Sequence, residues 1–120
     1  MPEITILDSV LPDDKDVRLL LLDGSIDAYN SEVLSDKLKE LLEQGIYKII
    51  VNCDGLKFIS SSGMGVFMSI EDEILENRGG LKFVAVPQKI LNVFQKVGLS
   101  DIFKIYPDEA GAITDFKKGL

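Results

Sequence analysis

Asn30-Ser31-Glu32-Val33-Leu34-Ser35-Asp36-Lys37-Leu38-Lys39-Glu40-Leu41-Leu42-Glu43-Gln44-Gly45-Ile46-Tyr47-Lys48-Ile49-Ile50-Val51-Asn52-Cys53 changes its hydrophobic period once, and that change decides the fold class. Leu34, Leu38, Leu41 and Leu42 recur at i, i+4, i+7 and i+8, one face of a helix, while Lys37, Lys39, Glu40 and Glu43 take the other side. Asn30 or Ser31 supplies an N-cap, and Gly45 a stop after Gln44. Tyr47 to Cys53 then reads as a buried strand. Since Val17-Arg18-Leu19-Leu20-Leu21-Leu22 forms a strand ahead of the helix, the order is strand, helix, strand with short connections. That is a βαβ unit, which implies a parallel pair joined by a right-handed crossover.

Working outward, Thr5 to Val10 predicts a first strand, and Leu11-Pro12-Asp13-Asp14-Lys15-Asp16 a polar turn that pairs it antiparallel with Val17–Leu22. Leu19 to Leu22 does not alternate, as expected of a strand covered on both faces. Downstream, Ser60-Ser61-Ser62 caps a helix with Phe67, Ile70 and Ile74 on its core face and Gly79-Gly80 as its stop. Leu81 to Val86 is the next strand. Pro87 begins a short helix with Ile90, Val93, Phe94 and Val97 inward, ended by Gly98. Ile102 to Tyr106 forms a last short strand, and Pro107-Asp108-Glu109 opens a terminal helix with Ala112, Ile113 and Phe116 as contacts. The order β-β-α-β-α-β-α-β-α defines one α/β domain over residues 1–120. Its sheet is mixed and mostly parallel after an antiparallel N-terminal hairpin, with about four helices packed mainly on one face.

The 120 residues carry 13 Lys+Arg against 20 Asp+Glu, a net charge of −7, and no histidine. A nucleic-acid or anionic-membrane partner is not expected, because both require a basic face. Without histidine the usual general base, the His-dependent nucleophiles and imidazole metal sites are missing, so the expectation is a protein that is not an enzyme and uses no metal or cofactor. The single Cys53 lies in an apolar run and reads as a buried thiol. Met1-Pro2-Glu3-Ile4-Thr5 shows no signal-peptide pattern and no apolar run reaches membrane-spanning length, so a cytoplasmic protein is expected.

The unusual segment is Phe58-Ile59-Ser60-Ser61-Ser62-Gly63-Met64-Gly65, three hydroxyls at a strand end followed by two glycines in the opening turns of a helix. One serine is enough for a cap. Each glycine in a first turn costs about 1 kcal/mol relative to alanine unless something approaches the backbone closely. A helix N-terminus favours a phosphoryl group, so a serine here could be modified without melting the helix. Asp23, Asp27 and Asp54, if brought nearby by the strand-end loops, would surround it with negative charge. Asp23 and Asp27 also flank Gly24-Ser25, where turn formation explains them without a metal. Met64 reads equally as a partner anchor or as a core residue. No P-loop, complete dinucleotide fingerprint or serine nucleophile elbow is present.

At these residues the sequence resembles the STAS family, in particular the bacterial anti-sigma factor antagonists of partner-switching pathways. Leu22-Asp23-Gly24-Ser25-Ile26-Asp27 is similar to the family's apolar-x-Gly-x-apolar-Asp stretch. Phe58 to Gly65 is similar to its Phe-apolar-Asp-Ser-Ser-Gly-Leu-Gly stretch, and Gly79-Gly80 and Phe94-Gln95-Lys96-Val97-Gly98-Leu99 match later elements. The resemblance implies a transcription-regulating switch. The unmodified antagonist binds an anti-sigma factor that is also a serine kinase and so frees the sigma factor; phosphorylation ends that interaction, and a serine phosphatase restores it. Carried over by position, the phosphoacceptor is Ser61. The contact surface would include Asp23, Gly24, Asp27, Asp54, Ser60, Ser62, Gly63 and Met64. One position departs from the pattern: Ser60 stands where an acidic residue usually precedes the acceptor, leaving Ser62 and Ser60 as alternative acceptors. The competing reading is a scaffold STAS protein in a larger signalling complex, not itself phosphorylated.

Overall fold

The computed structural model describes residues 3–118; Met1, Pro2, Gly119 and Leu120 lie outside the described residues, and with them the first part of the N-terminal reading. A five-stranded sheet has the order β1-β2-β3-β4-β5. β1 (Ile4–Leu11) and β2 (Asp14–Ile26) form the antiparallel hairpin, while β3 (Lys48–Ile59), β4 (Gly80–Val84) and β5 (Lys104–Tyr106) add in parallel. This is the expected class and topology.

Two strands are longer than the apolar runs suggest. β2 pairs with β3 from Val17↔Lys48 to Ile26↔Ile59, and β3 carries an extra residue at each of two register shifts, between Leu21 and Asp23 and between Gly24 and Ser25. β4 stops at Val84 opposite Asn52, so from Cys53 onward β3 has only β2 beside it. The β2–β3 pair therefore reaches beyond the rest of the sheet, and the Ser60 segment sits at its tip. Gly24 makes this extension possible. Its φ is +117°, and a Cβ there would lie 2.1 Å from the carbonyl oxygen of Glu3, just ahead of β1, a position only glycine can occupy.

Helix α1 (Ser31–Glu43) buries Leu34, Leu38, Leu41 and Leu42 as its spacing requires. The second helix differs from expectation. It divides into α2 (Ser61–Ser69) and α3 (Glu71–Glu76), with Ile70 between them. The Ser69 hydroxyl donates to the Val66 carbonyl at 2.6 Å, and such back-bonding bends helices. Ile70 and Ile74 both stay buried across the break. In α4 (Gln88–Lys96), Ile90 and Phe94 are buried and Val93 packs at the margin, but Val97 is 43% exposed, a correction to the inward reading. The chain turns at Gly98 (φ +79°) into a one-turn helix, α5 (Leu99–Ile102), and Leu99 takes the core position instead. α6 (Glu109–Lys117) is capped by the Asp108 carboxylate, which accepts from the Gly111 N–H.

The helices divide between two faces. The main core joins α1 to α5 with one side of the sheet, and Phe83 at its centre meets Phe67, Phe94 and Phe103 edge-on at centroid distances of 4.9, 5.2 and 5.8 Å. Such pairs add about 0.5–1.5 kcal/mol each beyond area burial. Through Phe67 they lock α2 onto β4. A smaller cluster on the other side packs Ala112 and Phe116 of α6 against Val17, Leu19, Ile50 and Val84. Leu20 and Leu22 face the main core while Val17 and Leu19 face α6, which is why the β2 run does not alternate. No helix among the described residues is long and apolar enough to cross a membrane.

Candidate functional site

The Ser60 N–H donates to the Ile26 carbonyl at 2.8 Å, joining the ends of β2 and β3. Ser60 is extended (φ −82°, ψ 168°) and is the N-cap of α2: its Oγ accepts from the Gly63 N–H at 3.2 Å and lies 2.9 Å from Ser62 Oγ. Two of the three serine hydroxyls are thus held in one local network. Ser61, the first residue of the helix, is exposed, and its hydroxyl makes no hydrogen bond among the described residues.

The two glycines do different work. Gly63 is buried, and a Cβ on it would come within 2.7 Å of Ile26 Cγ2 and 3.0 Å of Ile59 Cγ1. Its place in the partner surface is therefore corrected: it lets α2 seat on the strand tips. Met64 is 4% exposed and belongs to the core, which removes it from the contact surface too. Gly65 has open space where a side chain would be. Ser61, Gly65 and Met68 follow at i, i+4 and i+7, and all three are exposed, so one face of α2 presents a low, uncharged stripe beginning at Ser61.

The neighbouring β2–α1 loop is held by its own polar groups. The Asp27 carboxylate accepts from the Tyr29 and Asn30 N–H groups, both at 2.9 Å, and the Asn30 side chain accepts from the Asp27 N–H at 2.8 Å and donates to the Ser25 carbonyl. Asp27 therefore shapes this loop, but the turn lies beyond β2, because Gly24 and Ser25, where it was expected, are paired inside the strand. The same loop lifts Tyr29 to 79% exposure. Sequence reasoning passed over Tyr29, although an aromatic inside the polar turn Asp27-Ala28-Tyr29-Asn30 was a readable signal.

Asp23, Gly24 and Asp54 are not in strand-end loops. Asp23 pairs with Gly55 and Gly24 with Leu56, inside β2 and β3, and Asp54 precedes Gly55 at a register shift, its N–H bonded to Asn52 Oδ1 at 2.9 Å. Asp23 lies three residues below Ile26, about 10 Å along an extended strand. The acidic ring expected around Ser61 is not formed by these residues, because both strands continue past the positions where the carboxylates suggested a turn. No group of three or more His, Cys, Asp or Glu among the described residues is placed to hold a metal. Cys53 is fully buried, and desolvation pushes its thiol up to about 12, so it is unreactive as expected.

A family model for the STAS domain matches residues 8–112. The chain belongs to the STAS domain family. Among relatives of this STAS domain, the anti-sigma-B factor antagonist of Bacillus subtilis is 32% identical over 90 residues, covering 75% of this chain and 82% of the relative. An anti-sigma factor antagonist from Mycobacterium paratuberculosis superposes with a TM-score of 0.82 at 18% identity, over 94% of this chain and 93% of that one. The Bacillus cell fate determinant SpoIIAA in its phosphorylated form superposes with a TM-score of 0.71 at 23% identity, over 93% and 99% of the two chains. Both structural likenesses establish the shared fold.

Proposed function

We propose that this STAS domain is an anti-sigma factor antagonist whose partner binding is switched at Ser61. In its unmodified form it binds an anti-sigma factor that is also a serine kinase, and the sigma factor is released. Phosphorylation of Ser61 ends the contact, and a serine phosphatase restores it. The observation that carries the reading is the difference among the three serines: Ser60 and Ser62 are tied into the helix cap, whereas the Ser61 hydroxyl is exposed and makes no hydrogen bond among the described residues. The name of the Bacillus subtilis relative and the existence of a phosphorylated fold neighbour support it.

The departure at Ser60 has a physical consequence. Its hydroxyl performs the capping that a carboxylate would otherwise supply, so the helix start is formed without a charge beside the acceptor. A phosphate on Ser61 adds about −1.5 to −2 charges at the favourable end of the helix dipole, and the fold is kept. What changes is the Ser61–Gly65–Met68 stripe, from a low neutral surface to one headed by a strongly hydrated dianion. A partner packed closely on that stripe would have to desolvate the phosphate, and this cost replaces repulsion by an acidic ring as the basis of the switch.

The test uses a serine-kinase anti-sigma factor found by affinity capture on this chain. With ATP, intact-mass analysis is expected to show one added phosphate, absent in Ser61→Ala. Ser61→Glu is expected to keep the far-UV spectrum while weakening binding by at least about tenfold, or roughly 1.4 kcal/mol. Labelling that survives Ser61→Ala moves the acceptor elsewhere, and equal affinity of Ser61→Glu removes the switch.

A further inference from the structure

β1 is the outermost strand of the sheet, with no strand on its far side among the described residues. The Ser25 N–H donates to the Glu3 carbonyl, and the register is Ile4↔Gly24 through Val10↔Arg18, which sets the phase of the ladder. Bonded pairs alternate in an antiparallel ladder. Glu3, Thr5, Leu7 and Ser9 therefore direct their N–H and C=O groups to β2, and Ile4, Ile6, Asp8 and Val10 direct theirs outward. Natural sheet edges are protected by exposed charges, proline, bulges or a covering segment. Between Ile4 and Val10 the exposed side chains of β1 are Thr5, Leu7, Ser9 and Val10, all neutral. An inward-pointing charge can also guard an edge, but Asp8 is already paired with Arg18 Nη1 at 2.9 Å and Lys37 Nζ at 2.8 Å.

We propose that this chain pairs with a second copy of itself through the outer edge of β1, antiparallel about a two-fold axis at Leu7. This goes beyond the antagonist reading and does not depend on it. Under that axis Ile6 exchanges backbone hydrogen bonds with Asp8 of the second copy, and Ile4 with Val10 of the second copy. Leu7, 56% exposed on the sheet face opposite α1, meets its own counterpart in the close, non-hydrogen-bonded pairing. On the other face, an open groove between β1 and α1 is lined by Ile6, Val33, Asp36, Lys37 and Glu40, with Val33 49% exposed. The two-fold brings this stripe toward its own copy, with Lys37 held by Asp8 and Glu40 of its own chain. The occupant is a second copy because the strand edge and Leu7 are both self-complementary under one axis. The net charge of −7 opposes the approach of two copies, so screening by salt favours the pair.

Sedimentation velocity of the full chain, from low micromolar to millimolar concentration at low and high salt, tests the proposal. The expected result is a doubling of apparent mass with concentration, reached at lower concentration in high salt. Leu7→Lys places like charges directly opposite at an exposed position and is expected to weaken pairing by about tenfold. Val10→Pro removes an outward N–H while leaving the β1–β2 ladder intact, and is expected to weaken it similarly. Circular dichroism melts confirm that each variant is folded. A chain that remains at 13.3 kDa throughout, or a dimer unaffected by both substitutions, overturns the proposal.

Discussion

Gly63 and Gly65 stand two residues apart on α2 and respond to opposite demands. At Gly63 a methyl group would strike Ile26 and Ile59, both fixed in the core at the strand tips. We expect Gly63→Ala to cost about 1–3 kcal/mol through overpacking. At Gly65 a methyl group meets nothing, and the usual helix propensity difference predicts that Gly65→Ala stabilises the fold by up to about 1 kcal/mol. Urea denaturation of the two variants measures both signs. If Gly65→Ala also weakens partner binding, the glycine is retained to keep the stripe beside Ser61 flat; unchanged binding would show that the stripe tolerates a side chain there. The sequence made both glycines conspicuous but could not separate them, because the distinction depends on Ile26 and Ile59 arriving from two different strands.

At the scale of elements, α6 is anchored partly by a buried charge. Lys82 is 3% exposed within β4, its ammonium lies 4.5 Å from the Phe116 ring centroid, and it donates to the Tyr106 hydroxyl at 3.4 Å; that hydroxyl in turn donates to Asp115. Desolvation, with Lys104 adding repulsion, lowers the Lys82 pKa, while desolvation and the Asp115 bond push Tyr106 up to about 12. The two act in opposite directions. A lowered lysine means the unfolded chain binds more protons between the folded pKa and 10.5, so stability rises with pH in that window. A raised tyrosine means the folded chain holds its proton between 10 and about 12, so stability falls there. Denaturant midpoints should therefore pass through a maximum near the top of the lysine window, and Tyr106→Phe should remove the high-pH decline. A monotonic fall from pH 8 in the wild-type chain would assign Lys82 no such effect. The apolar run Leu81–Val86 marked β4, which ends at Val84 where Ala85 takes φ +53°, but gave no reason for its lysine, since the rings that receive it come from β5 and α6. The same limit explains some of the other departures. The leucines of α1 were readable because they recur along one helix face, and the Asp108 cap because its partner, the Gly111 N–H, lies three residues on. The length of β2 and β3 depends on pairing distant in sequence, whereas the break at Ile70 and the outward turn of Val97 follow from the Ser69 back-bond and the turn at Gly98, which hydrophobic spacing does not weigh.

For the whole molecule, the switch reading requires that phosphorylation alter a surface and leave the interior closed. Cys53 offers a direct probe, being the one thiol in the chain, fully buried in the main core on the strand that ends at Ile59, next to Ser60. Its burial places it under the same helices that Phe83 joins, so a thiol reagent can reach it only when that core opens. In the native state we expect labelling slower than that of an unfolded control by at least about 10³-fold, the protection conferred by a stability of ordinary size. A negative charge at the first helical position favours the N-terminal end of the dipole by about 0.3–1 kcal/mol, so Ser61→Glu should label at the wild-type rate or more slowly. Loss of partner binding with unchanged labelling places the switch on the surface of α2. Faster labelling in Ser61→Glu would instead mean that the added charge loosens the seat of α2 on Ile26 and Ile59, and the partner would be reading a change in the fold rather than a phosphate.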